Sequence, residues 1–183
     1  MERSILYSNK DFTFVKEKDK LYSIFFHLVN DNIILPQVID FDFINLTYKL
    51  NSDIYESVNL EKHNENEATI VVVVNNAALH AFFAKRYMYM NITKRVENNV
   101  ISFHYKPITD IRPSNICKEA TIAPIKEIIV ECKILHNHKI TLTCSTQLDD
   151  TMVLPAFIEK IISKLFITVF TRVKKFTENF SIN

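Results

Sequence analysis

The stretch "LDDTMVLPAFIEKIISKLFITVFTRVKKFTENF", Leu148 to Phe180, demands a large apolar partner. Leu154, Ile158, Ile161, Ile162, Leu165, Phe166, Val169, Val173, Phe176 and Phe180 recur at helical spacing and form one wide stripe. Lys160, Lys164, Thr168, Thr171, Arg172 and Lys175 fall largely off it. Asp149, Asp150 and Thr151 offer capping side chains, and Pro155 fits a first-turn position. A helix of about 25 residues would run roughly 37 Å at the standard rise. Its charged side is too polar for a membrane span. The rest of the chain must supply the surface that it covers.

That surface reads as a sheet. "EATIVVVVNN" is a β-branched run, and "DIYESVNLE" alternates, with Ile54, Val58 and Leu60 on one side and Tyr55 on the other. "AKRYMYMNITKRV" and "NVISFHYKPI" flank "ENN" as a hairpin. After a loop holding Pro107, Pro113 and Pro124 comes a second hairpin around "HNHK". Ile128, Val130, Cys132 and Ile134 share one face of its first strand. Ile140, Leu142, Cys144 and Leu148 share one face of its second, with Thr141, Thr143 and Ser145 opposite. "VIDFDFINLTYKL" also alternates and predicts a strand. A short strand is expected around Phe12 to Val15. "KEKDKLYSIFFHLVND" places Leu21, Phe25, Leu28 and Val29 on a helical stripe and predicts an N-terminal helix, which Pro36 keeps from resuming. The fold class is therefore α+β: a curved antiparallel sheet of about 6–7 strands wrapped around a long C-terminal helix, with a shorter N-terminal helix.

Composition excludes several function classes. The chain has 183 residues and no glycine, where roughly 7% is usual. A Walker loop, a dinucleotide fingerprint and a G-x-S-x-G elbow are all ruled out. Turns needing positive φ must use asparagine or aspartate. Lys and Arg total 22 against 21 for Asp and Glu, so no global field points to nucleic acid. Cys117, Cys132 and Cys144 are odd in number and lack C-x-x-C spacing, which speaks against a disulfide framework or a zinc site. "MERSILYSNKDF" carries no apolar run of signal length, so the three sequons at Asn45, Asn91 and Asn179 read as chance. The expectation is one domain over residues 1–183, intracellular and cytoplasmic, with no metal and no cofactor.

A shorter helix, an antiparallel meander and a long helix lying across it form the helix-grip pattern. In this the chain resembles the START-like superfamily, and within it the lipid-transfer START domain. In "FFAKRYMYM", Arg86 matches the family and Tyr87 stands where aspartate is usual. "TIAPIKEIIVECKILHNHKITLTCSTQLD" matches its proline-containing connection and strand pair. Asp149, Asp150, Leu154, Pro155, Lys174 and Lys175 match its acidic turn, "LP" and basic-ended helix. The resemblance spans roughly residues 10 to 180, with its motifs in the last hundred. The chain departs from the family in lacking glycine and tryptophan, and its N-terminal part is shorter, which bears on cavity size.

The resemblance implies an apolar cavity between sheet and terminal helix that binds a lipid or other hydrophobic ligand without catalysis. Candidate lining residues are Phe157, Ile161, Leu165 and Val169 from the helix, and Tyr87, Tyr89, Phe103, Tyr105, Cys132 and Cys144 from strands. The other reading of each is plain core. Arg86 either pairs with Glu131, orients a ligand headgroup or lies on the surface. A ligand would enter by movement of the terminal helix or of the loop from Pro107 to Pro124. His136 and His138 belong to a solvated turn, with too few neighbours for a metal. Lys85, Arg86, Lys94, Arg95, Arg172, Lys174 and Lys175 are either solubilising charges or contacts to phosphates of a membrane surface or of RNA. The alternative function is a cavity-poor START-like interaction protein docked on a larger assembly such as a ribonucleoprotein.

Overall fold

A computed structural model describes residues 3–18, 20–75, 85–150, 152 and 154–181. These form β1 (Ser4–Ser8), β2 (Phe12–Lys18), β3 (Leu21–Val29), α1 (Leu35–Val38), α2 (Phe41–Lys49), β4 (Tyr55–Lys62) and β5 (Glu67–Val74). After them come β6 (Arg86–Glu97), β7 (Val100–Pro107), β8 (Thr121–Ile122), β9 (Ile125–His136), β10 (Lys139–Leu148) and α3 (Ala156–Asn179). The sheet is curved and unclosed, in the order β1-β2-β3-β10-β9-β7-β6-β5-β4. Every neighbour on that path is antiparallel, and β8 alone pairs in parallel, on β6. Ten strands exceed the expected six or seven. Residues 82–84 of the "FFAKRYMYM" motif, and Thr151 and Val153, lie outside the described residues.

The N-terminal half reverses two expectations. The predicted helix over "KEKDKLYSIFFHLVND" is instead the end of β2, a turn and β3. Tyr22, Ile24, Phe26 and Leu28 are buried at period two, whereas Phe25, His27 and Val29 lean outward. Both edges of β3 are paired, to β2 and to β10, and that cross-strand packing outweighs the helical spacing of Leu21, Phe25 and Leu28. The predicted strand "VIDFDFINLTYKL" is instead α1 and α2. Asp40 is the cap: its carboxylate accepts from the Asp42 and Phe43 amides at 2.8 and 3.1 Å. Phe41, Ile44 and Tyr48 then fall at helical spacing, with Phe41 and Ile44 buried.

The C-terminal half follows the expected pattern. The β6–β7 turn places Asn98 and Asn99 at φ 49° and 62°, the left-handed turn that glycine would otherwise fill. In β10, Ile140, Leu142 and Cys144 are buried on one face, with Thr141, Thr143 and Ser145 between them. A bulge between Tyr55 and Ser57 turns Tyr55 onto the core beside Ile54, Val58 and Leu60, not away from them.

The 24-residue α3 packs closest on β1–β3 and α2, not on the middle of the sheet. Phe166 meets Phe14 at 5.5 Å between ring centroids, and Phe170 meets Phe26 at 5.3 Å. Polar contacts fix three further points. The Lys16 ammonium (2.8 Å) and the Tyr22 hydroxyl (2.5 Å) both reach one Glu159 carboxylate oxygen. Arg172 grips Asp53 through both guanidinium nitrogens, one at 2.9 Å, and donates to Asn51 at 3.1 Å. The buried Asn30 amide donates to the Thr177 and Phe180 carbonyls at 2.6 and 2.7 Å. No helix of the described residues is long and apolar enough to cross a membrane.

Candidate functional site

Because α3 seats on β1–β3, it stands off the strands beyond β10. The gap is a cavity of about 310 Å³. Its roof is α2 with Phe43, Ile44, Thr47 and Tyr48, and α3 with Ile162, Leu165, Phe166, Val169 and Phe170. Its floor is β7 (Phe103, Tyr105), β9 (Ile125, Ile128, Val130, Cys132) and β10 (Leu142, Cys144, Thr146, Leu148). Ile54, Tyr55, Val74, Arg86, Met88, Ala123, Pro124, Met152 and Leu154 complete the wall.

The strand register explains the floor. Thr146 pairs with Ile128, and Ile128 pairs with Tyr105 across the next strand. Cys144 pairs with Val130, which pairs with Phe103. Directly opposed residues share a face, so each row crosses three strands on the cavity side.

Of the expected lining residues, Arg86, Phe103, Tyr105, Cys132, Cys144, Leu165 and Val169 line this cavity. Tyr87, Tyr89, Phe157 and Ile161 do not. Tyr87 and Tyr89 alternate with Arg86 and Met88 along β6, so they face the opposite side of the sheet. There Tyr87 packs with Val73, Ile116 and Ala120 under the loop before β8, with Tyr89 beside them. The Arg112 guanidinium covers the Tyr87 ring at 5.3 Å and donates to the Cys117 and Ala120 carbonyls. The body of the proline-containing loop thus lies on the outer face of the sheet, and only its end, Ala123 and Pro124, reaches the cavity wall. Phe157 sits in the first turn of α3 and is half exposed. Ile161 is partly buried beside the lining residue Ile162, outside the wall.

Arg86 does not pair with Glu131, which is exposed on the other face of β9. Its guanidinium donates to the Thr121 hydroxyl at 2.7 Å and the Ile122 carbonyl at 3.3 Å, holding β8 in place. Several other basic candidates have internal partners. Lys85 pairs with Glu56, Arg172 with Asp53, and Lys174 with Glu178 and the His27 carbonyl. His138 is half-buried, and its Nδ1 lies 3.1 and 2.9 Å from the Asn30 and Ile33 carbonyls, so it braces the fold and is not a solvated turn residue. No group of three metal-ligating side chains occurs among the described residues.

Wall residues that sequence spacing alone does not single out include Phe43, Ile44, Thr47 and Tyr48 of α2, Ile54 and Tyr55 at its exit, and others from β9, β10 and α3. Tyr48 and Tyr55 are part-exposed, yet burial, followed by the field of nearby groups, raises both phenols far above their usual range. Both rings line the cavity. Burial also raises Tyr105, with smaller contributions from Tyr48 and Cys144. The Asp40 cap was the available signal for α2, and counting by two from Arg86 would have found Met88.

Burial pushes the Cys132 and Cys144 thiols up to about 12. Both stay protonated near neutral pH, the reverse of what a thiol nucleophile needs.

No protein-family model and no curated protein matches the chain. Solved structures do. The human StarD13 (DLC2) lipid transfer and protein localization domain superposes with a TM-score of 0.71 at 10% identity, over 98% of this chain and 90% of that one. Human StAR-related lipid transfer protein 5 gives 0.65 at 11% identity, over 96% and 86%. A STAR-related lipid transfer protein from Xanthomonas axonopodis gives 0.64 at 10% identity, over 94% and 97%. With the unclosed sheet and the helix laid across it, these superpositions show that the chain has the START-like helix-grip fold.

Proposed function

We propose that this protein is a non-catalytic binding module that carries or senses a lipid or other hydrophobic ligand in the cavity between sheet and α3. The observation that carries the reading is the cavity itself: about 310 Å³ left open in an interior otherwise packed with phenylalanine and isoleucine. Close packing is the rule in protein cores, so an apolar void of this size represents stability forgone. It falls at the lower end of the roughly 300–1,000 Å³ range of small-molecule sites. The superposing structures named as lipid transfer domains support the same reading. The driving force is burial of ligand surface, about 25 cal/mol per Å² before the costs of association. Non-catalytic action is supported by the suppressed thiols of Cys132 and Cys144.

The test is native mass spectrometry of protein purified from its own source, followed by organic extraction and lipid analysis. A stoichiometric apolar ligand is expected. A bare protein that takes up nothing from offered membranes would overturn the reading.

A further inference from the structure

The cavity wall holds a small set of polar atoms with unusual standing. Thr146 is only 6% exposed, and its hydroxyl hydrogen-bonds no described residue. It lies near enough to the Cys144 thiol to favour that group's ionised form, against the dominant effect of burial. A thiol is a weak acceptor and leaves most of the hydroxyl's capacity unused. Tyr105 is only 4% exposed and, like Tyr48 and Tyr55, its phenol has no hydrogen-bond partner among the described residues. Such groups, when buried, ordinarily find partners, because leaving one unmet forfeits its hydration with nothing in exchange.

These groups are not scattered. Thr146 and Tyr105 occupy one register row, two strands apart on the cavity face, with only Ile128 between them. Two strand spacings are roughly 9–10 Å. The Tyr48 and Tyr55 rings meet edge to face at 4.9 Å and close the same chamber from above. Thr47, another polar residue of the wall, already donates to the Phe43 carbonyl at 3.0 Å.

Charge is the other half of the observation. Among the described residues the wall contains no carboxylate, and the cation there, Arg86, is engaged by Thr121 and Ile122. An ionised headgroup drawn inside would lose its water and find only hydroxyls in exchange, which is strongly unfavourable.

Resting on the reading of the cavity as a ligand site, we infer that its ligand is a compact apolar molecule with one small uncharged polar group, a hydroxyl or carbonyl, which hydrogen-bonds Thr146 and Tyr105. The modest volume suits a single chain or ring system better than a pair of long chains. The two residues set headgroup specificity, and the apolar wall supplies most of the affinity.

Dodecane, dodecanol and dodecyl phosphate share one chain and differ only at the end group. Each is titrated into the ligand-stripped protein, below its aggregation threshold, with native mass spectrometry and tryptophan-free thermal shift as readouts. Dodecanol is expected to bind best, and dodecyl phosphate at least roughly tenfold more weakly, as burying an unpaired charge requires. Thr146→Val and Tyr105→Phe should each weaken dodecanol roughly fivefold and leave dodecane unchanged. Dodecyl phosphate binding as tightly as dodecanol would overturn the inference while leaving the cavity reading intact. So would variants that weaken dodecane and dodecanol alike. Failure of all three probes would overturn the inference together with the cavity reading. The comparison among probes needs no variant, so a poorly folding substitution does not remove the test.

Discussion

Glu159 stands in the first turn of α3, where its negative charge also complements the helix dipole. Burial acts to raise its carboxyl, but the hydrogen bonds from Lys16 and Tyr22 outweigh burial and hold it below the usual carboxylate range. A carboxyl depressed in the folded state stabilises fully above its unfolded value, and that stabilisation disappears as pH falls through the lowered folded-state value. Denaturant melts of the unmodified protein between pH 7 and pH 2 should therefore lose stability in the acid limb. Glu159→Gln should cost about 1 kcal/mol at pH 7 and flatten that limb. An unchanged acid limb would show that the Lys16–Glu159–Tyr22 contact does not hold α3. At this scale the sequence was only partly informative. Residue parity sets Cys132 and Cys144 on inward faces of their strands, the START-like resemblance adds Phe103 and Tyr105, and all four lie on the cavity wall. Thr146 also falls on the inward face, yet one threonine among several in "ITLTCSTQL" carries no mark of being unpaired.

Elements were legible where only one partner arrangement suited them. The β9–β10 hairpin and α3 follow directly from period two and period 3.6. The N-terminal half defeats local pattern because two short segments each satisfy the wrong period. In β3, pairing on both edges decided the outcome, and no local pattern reports pairing. In α2, the local evidence was present in Asp40 and was outvoted by the alternation of Ile39, Phe41 and Phe43. The consequence for the site is direct, since Tyr48 belongs to α2 and Tyr55 follows from its exit. The seating of α3 is also an element-level property. Asn30 ties its last turn to the end of β3 by meeting two carbonyls that the helix leaves open. Asn30→Ala should cost about 1–3 kcal/mol and raise hydrogen exchange in the final turn of α3 ahead of the rest of the helix. Uniform exchange along α3 in that variant would mean that the ring contacts of Phe166 and Phe170 alone fix its position.

At the scale of the whole molecule, two regions of one interior contrast. Over β1–β3 the aromatic rings of the sheet interlock with those of α3, whereas over β7 Phe103 meets Phe41 of α2 and α3 stands off across the cavity. The same sequence that fills the first region leaves the second open, although its phenylalanine content had equally suggested a filled core. A cavity-filling substitution separates the two states. The measurement is the melting temperature of ligand-stripped Val130→Phe against the unmodified protein, because Val130 lines the cavity floor beside Phe103 and Cys144. An open cavity accepts the larger ring, so the variant should melt higher, by a gain of about 0.5–2 kcal/mol, and lose dodecane binding. A variant that melts lower, by the roughly 1–3 kcal/mol typical of overpacking, while binding persists would contradict the account.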